Sequence, residues 1–124
     1  MNQKSLAYLV FDYSEDEHGI GNWDAMASVP SDRVSAVLAE IQAILDWAGE
    51  QFAATQGPID EGADWDFDLQ AQDDDGQALP IHLPTERAPL CVEAAASGLT
   101  TLTFSLAGSN QFSTAFQAEF DVSA

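Results

Sequence analysis

Positively charged residues are the scarcest feature of this chain. Among its 124 residues, lysine and arginine occur only as Lys4, Arg33 and Arg87, against 21 aspartates and glutamates, so the formal net charge is −18. A surface of this kind repels nucleic-acid phosphates and anionic membranes, and it attracts cationic proteins or metal ions. We therefore expect a basic protein as partner, and neither a nucleic acid nor a membrane. A second explanation is a coding habit of the source proteome, which would give the acidity no function.

Cysteines and long apolar runs are also scarce. With Cys91 as its one cysteine, the chain has no internal disulfide, which is typical of a reducing compartment. The apolar run 90–92 around it predicts a buried, unreactive thiol. No stretch reaches the roughly 20 apolar residues of a membrane-spanning helix. The apolar stretch 6–11 is too short for the core of a signal peptide, so we expect a cytoplasmic protein.

The chain nevertheless has the material for a folded core. Hydrophobic residues make up 46% of it and aromatic residues 10%. Disorder requires low hydrophobicity together with high net charge, and only the second condition holds here. The length and the lack of an internal repeat or linker predict one domain over residues 1–124.

The first third of the chain predicts a hairpin followed by a helix. Residues 5–13 are apolar on both faces, which predicts a strand near the middle of a sheet. Residues 14–21 form an acidic loop, and residues 22–29 alternate, with Asp24 and Met26 on the outward side. Ser31 is a good N-cap for the helix that follows. Its apolar stripe has helical spacing and consists of Val34, Val37, Leu38, Ile41, Leu45, Ala48 and Phe52.

The remainder predicts more strands and a short second helix. Residues 63–72 alternate between apolar and acidic or amide side chains, and an Asp-Gly turn follows at 73–76. Residues 77–83 form at most an edge strand because Pro80 lacks an N–H. Residues 90–95 and 99–107 are predicted to form a second hairpin, and Ser109 to cap the last helix. The predicted fold is α+β: a mostly antiparallel sheet of about four to six strands, in the order β-β-α-β-(β)-β-β-α, with two helices packed on one face.

Tests for catalytic and metal-binding motifs fail. An EF-hand loop starting at Asp64 would place Leu69 where a glycine is needed. His18, His82 and Cys91 lack the spacing of zinc ligands, and no glycine-rich phosphate loop is present. We therefore predict no catalytic residue, no metal ligand and no cofactor, and a protein that is not an enzyme. A divalent-metal or small-ligand domain that uses the acidic loops is the alternative hypothesis.

The arrangement of the acids suggests a protein-binding surface. Asp64, Asp66 and Asp68 fall on one strand face about 6.6 Å apart, where neighbouring carboxylates repel by roughly 0.6 kcal/mol in water. Such a stripe is tolerated by the fold, and a solvated strand face explains it equally well. Two exposed tryptophans would supply apolar anchors. The full set of partner-binding candidates is Glu15, Asp16, Glu17, Trp23, Trp47, Asp64, Asp66, Asp68, Asp73, Asp74 and Asp75.

These observations favour a non-enzymatic acidic interaction domain that binds a basic protein. Inhibitors, immunity-type antidotes and nucleic-acid mimics are the classes with this character. Complementary charge speeds association and selects partners. The metal-binding domain and the purely compositional origin of the acidity stay open as alternatives.

Overall fold

The computed structural model describes residues 4–53 and 55–122, and for Asp60 the backbone alone. The strands are β1 (Phe11–Glu15), β2 (Gly21–Pro30), β3 (Trp65–Gln72), β4 (Ile81–His82), β5 (Cys91–Val92) and β6 (Leu99–Gly108). The helices are α1 (Val34–Gln51), which follows a 3-10 turn at Ser31–Arg33, and α2 (Asn110–Glu119). Four strands form an antiparallel sheet in the order β1-β2-β6-β3, and β4 and β5 form a separate pair. The predicted α+β class is confirmed.

The sheet has one apolar and one polar face because its long strands stay in register. β2 pairs with β6 over ten positions and β3 pairs with β6 over eight. Side chains alternate along each strand, so matched registers put apolar residues of neighbouring strands side by side. Leu102, Phe104 and Leu106 of β6 are fully buried, as their alternation predicts.

Both helices cover the apolar face. Val37, Ile41 and Ile44 of α1 are fully buried, as are Phe112 and Phe116 of α2. The predicted cap of α2 is confirmed, because the Ser109 hydroxyl accepts a hydrogen bond from the Phe112 N–H at 3.2 Å. Burial of these side chains between helix and sheet supplies the main free energy of folding.

The N-terminal strand is shorter and lies elsewhere than predicted. The prediction of a central strand over 5–13 is wrong: β1 begins at Phe11 and lies at the edge of the sheet. The Glu40 carboxylate of α1 accepts hydrogen bonds from the backbone N–H groups of Ala7 at 2.7 Å, Tyr8 at 3.1 Å and Leu9 at 3.1 Å. This carboxylate therefore takes up donors that a strand would have given to its neighbour.

The predicted hairpin between 90–95 and 99–107 is also wrong, because β5 pairs with β4 and not with β6. The Ala95 N–H donates instead to the Thr100 hydroxyl at 2.9 Å, and the Ala95 carbonyl accepts from the Ser31 hydroxyl at 2.8 Å. Because its hydroxyl donates to Ala95, Ser31 does not form the predicted N-cap of the helix. Val92 is buried, and the alternation along a strand points its neighbour Cys91 outward. The thiol is exposed and not buried as predicted.

Candidate functional site

Both helices of the described residues lie on the apolar side of the four-stranded sheet, which leaves its polar face without a helix. We call its outward-facing residues the open face. The register places Asp12 opposite Asp24, Asp24 opposite Ser105, and Ser105 opposite Asp68, so one row across all four strands holds three aspartates. Asp66 lies in the next row. The members of the open face are Asp12, Ser14, Asn22, Asp24, Met26, Ser28, Asp66, Asp68, Gln70, Gln72, Thr101, Thr103, Ser105 and Ala107.

Among the described residues, no lysine or arginine side chain neutralises the negative charge of the open face. Asp12 and Asp24 lie directly opposite each other, a Cα separation of about 5 Å, and at that distance two charges repel by about 0.8 kcal/mol in water. Lys4, Arg33 and Arg87 all lie outside the four strands. Among residues 4–53 and 55–122 the only ion pair of a lysine or arginine joins Lys4 to Glu119, at 2.8 Å. The face is therefore available to an external cation.

Two neighbouring depressions lie beside Asn22 and Ala107 on the open face. The first has a volume of about 190 Å³ and is lined by Asp66 and Asp68 on one side and Asn22 on the other, with Ser105 and Ala107 as its floor. The second has a volume of about 570 Å³ and shares Asn22 and Ala107 with the first. It continues towards the β1–β2 loop, where its walls are Asp16, His18, Ile20 and Ile59. A lysine or arginine side chain that enters the first depression would meet carboxylates on its wall.

An apolar patch adjoins the aspartates. Met26 of β2 is 64% exposed, and Val10, just before β1, is 78% exposed. The pairing of Phe11 with Ala25 places these two residues next to each other at the margin of the open face. Their exposure offers the apolar contact area that charge alone does not provide.

The structure brings some of the predicted acids together and separates others. Asp66 and Asp68 lie on the open face as predicted. Asp64 precedes β3 and is half-buried; its backbone N–H donates to the Thr55 carbonyl, and its carbonyl accepts from the Ser109 N–H. The loop with Glu15, Asp16 and Glu17 lies at the end of the sheet where β3 begins. The turn with Asp73, Asp74 and Asp75 lies at the other end, about 26 Å away along β3. The acids of the β1–β2 loop and those of the 73–76 turn therefore lie at opposite ends of the sheet and do not form one cluster.

Several loop acids organise their own backbone. The Asp16 carboxylate accepts hydrogen bonds from the N–H groups of His18 at 2.8 Å and Ile20 at 2.9 Å. The Asp73 carboxylate accepts from Asp75 and Gln77, both at 2.9 Å. These are the Asx turns that aspartates commonly form. Asp74 accepts from the Leu99 N–H at 3.1 Å and so links the turn to β6. Within the described ranges, no three histidine, cysteine, aspartate or glutamate side chains are placed to hold a metal ion.

The two tryptophans proposed as anchors are buried, which corrects that prediction. Trp23 is fully buried, and its indole N–H donates to the Ser113 hydroxyl at 3.1 Å. Trp47 is 7% exposed, and its ring lies 5.7 Å from the rings of Phe112 and Phe120. Large aromatic side chains gain most from burial, so the core holds both rings and neither offers a surface to a partner.

Tyr13 lies at the edge of the sheet, beside Trp23 and the acidic loop. Its ring centroid is 4.5 Å from that of Trp23, and its hydroxyl donates to the Glu15 carboxylate at 3.4 Å. Burial raises the pKa of the Tyr13 hydroxyl above its usual value, and the negative charge of Glu15 raises it further. Tyr13 therefore stays neutral and acts as a hydrogen-bond donor at physiological pH.

Sequence reasoning did not select Asp12, Asp24 and Val10 as candidates. The alternation of residues 22–29 places Asp24 on the outward side, so a signal for it was present. Its neighbourhood with Asp12 and Asp68 depends on which strands pair and in which register. The three aspartates of that row come from three different strands, and Ser105 of the fourth lies between two of them.

Comparisons of this chain with models of protein families, with curated proteins and with solved structures gave no significant match. Of the helices in the described part of the chain, none combines the length and the apolar character that a membrane crossing needs.

Proposed function

We propose that this protein is a non-enzymatic acidic interaction domain that binds a basic partner protein through the open face of its sheet. The observation that carries the proposal is the row of three aspartates, Asp12, Asp24 and Asp68, with which no lysine or arginine in the described part of the chain forms an ion pair. The proposal places the protein in the cytoplasm, where the exposed thiol of Cys91 stays reduced.

Charge and shape support the same surface. A net charge of −18 attracts cationic proteins over a distance of about 10 Å at 0.1 M salt, and this attraction mainly raises the association rate. The depression beside Asp66 and Asp68 accepts a basic side chain, and Val10 with Met26 provides apolar contact at the margin. Inhibitors and immunity-type antidotes act through surfaces of this kind.

The two alternatives have less support. A metal site in the acidic loops would compete with the hydrogen bonds by which Asp16, Asp73 and Asp74 already hold backbone N–H groups. A purely compositional origin of the acidity predicts no preference for one surface. It therefore predicts that acids on the open face and acids elsewhere are interchangeable, which an experiment with matched variants tests.

The test compares two variants with equal net charge. The face variant carries Asn at Asp12, Asp24, Asp66 and Asp68. The control variant replaces four exposed acids outside the open face by their amides, which are Asp32, Glu50, Glu61 and Asp75. Wild type and both variants are immobilised, exposed to lysate at low salt, and eluted with a salt gradient.

We expect a basic protein that wild type and the control variant retain to the same salt concentration, and that the face variant releases earlier. The titrated affinity of the identified protein should fall with salt for wild type and more weakly for the face variant. Equal retention by the two variants would contradict the proposal and favour the compositional explanation.

A further inference from the structure

Strand β3 forms one edge of the sheet, and part of its backbone is unpaired. In an antiparallel strand, successive residues direct their backbone groups to alternate sides. The Trp65 carbonyl accepts from the Gly57 N–H, and the Ala71 carbonyl accepts from the Leu79 N–H, both at 2.9 Å. The backbone N–H and carbonyl groups of Trp65 and Ala71 therefore face away from β6. By the same alternation, so do those of Phe67 and Leu69 between them.

These two hydrogen bonds close the ends of the edge and leave its middle open. The Phe67 N–H donates to the Asp66 carboxylate at 2.9 Å. In the described ranges, no hydrogen bond reaches the Phe67 carbonyl or either backbone group of Leu69 from the outer side. Pro80 lacks an N–H, and among the described residues none after Leu79 forms a backbone hydrogen bond with the outer side of β3, although Ile81 and Leu83 lie on the far side of the space beside it. Unpaired strand edges are templates for the addition of another strand.

Two depressions on the outer side of β3 would receive the side chains of such a strand. One, of about 500 Å³, lies between Phe67, Leu45 of α1 and Leu83, which is 53% exposed. The other, of about 250 Å³, is lined in part by Leu69, Leu79 and Ile81. An added strand would point alternate side chains towards these depressions, and the larger one has Asp46 and Glu86 beside its apolar residues.

The intervening side chains of the added strand would point to the other face of the sheet, where Asp66 and Asp68 lie. Charge complementarity therefore favours basic side chains at these positions. A second copy of this chain fits poorly, because pairing two β3 edges would bring the aspartates of two strongly acidic molecules together. The alternation of apolar and basic residues is thus what the edge selects.

We propose that the free edge of β3 binds a short extended segment of a partner protein in which lysine or arginine alternates with apolar residues. This inference rests on the proposed function as a binder of a basic protein and adds the mode of recognition. Backbone hydrogen bonds would supply affinity, and the alternating side chains would supply specificity.

The probe is a seven-residue peptide of alternating lysine and valine, capped at both ends. Its control has N-methyl groups on the valine amides, which keeps the charge and removes the donors directed at β3. Amide hydrogen exchange is followed by NMR in the free and the peptide-bound protein. We expect the Leu69 amide to exchange freely in the free protein and to slow by about tenfold or more when the peptide binds. The amide of Gln70, already paired with β6, should not change.

A matched pair of variants tests the groove. Leu83→Lys places a charge in it, and Ala118→Lys adds the same charge on the exposed side of α2; both residues are exposed, so both variants should fold. We expect Leu83→Lys to weaken peptide binding several-fold more than Ala118→Lys does.

Three other outcomes would overturn the inference. Equal binding of both peptides with unchanged Leu69 exchange would refute strand addition and leave the basic-partner proposal intact. Failure of both peptides to bind at low salt would contradict both proposals. A Leu69 amide whose protection in the free protein increases with protein concentration would identify a second copy as the occupant.

Discussion

Substitution of Glu40 by Gln should destabilise the protein through the N-terminal segment. The Glu40 carboxylate accepts from three consecutive N–H groups, those of Ala7, Tyr8 and Leu9. Water can replace it at the exposed Ala7, but the Tyr8 and Leu9 groups are partly buried. An amide keeps one acceptor oxygen and directs a donor at the other N–H groups. Each partly buried donor that loses a charged acceptor costs at least about 1 kcal/mol, so we expect a loss of about 2 kcal/mol.

Chemical and thermal denaturation measure this loss. For a domain of this size, 2 kcal/mol corresponds to a decrease in Tm of roughly 8 °C. Glu50→Gln is the control, because Glu50 is exposed on the same helix and its substitution should change stability by less than about 0.5 kcal/mol. If Glu40→Gln and Glu50→Gln unfold at the same denaturant concentration, the carboxylate does not hold the segment and the reasoning fails.

Three further predictions concern turns, salt and pH. In denaturant titrations, Gly98→Ala should cost more stability than Gly76→Ala. Both positions have positive φ, but only at Gly98 would a Cβ collide with the Asp74 carboxylate. Equal losses of stability would contradict this reason. Moderate salt should raise Tm by screening the repulsion between unpaired acids, and a flat response in calorimetry would argue against it. In a variant without the other tyrosine, ultraviolet titration should place the pKa of Tyr13 above 10, and Glu15→Gln should lower it. Because folding raises this pKa, its contribution to stability is complete below about pH 10 and is lost as pH rises further; an unshifted titration would contradict the cause assigned here.

The sequence pattern correctly predicted those strands and helices in which one face is buried and the other is exposed. The alternation in β3 and β6 identified the buried and exposed faces of both strands, since each strand packs one side on helices. The spacing of Val37, Ile41 and Leu45 identified α1 for the same reason. At these positions the local preference and the tertiary environment agree.

The errors lie where long-range contacts decide. Residues 7–9 have the composition of a strand, but Glu40, about thirty residues later in the chain, takes their N–H groups. Whether β5 pairs with β4 or with β6 depends on competition between distant segments. The burial of Trp47 depends on contact with Phe112 and Phe116 of α2 and with Phe120, which directly follows that helix.

Only part of the candidate site could be predicted from the sequence. Asp66 and Asp68 belong to one strand, so alternation alone placed them on one face. Asp12 and Asp24 join them only through the pairing of β1, β2, β6 and β3, which a single sequence does not reveal.

The most direct test of the central claim is a map of amide chemical shifts during titration of the protein with tetralysine at low salt. The account predicts that the largest changes cluster on the open face, around Asp12, Asp24, Asp66 and Asp68, and that they disappear in the face variant. Changes centred on the turn at Asp73–Asp75, or spread evenly over all exposed acids, would contradict a binding surface on the open face.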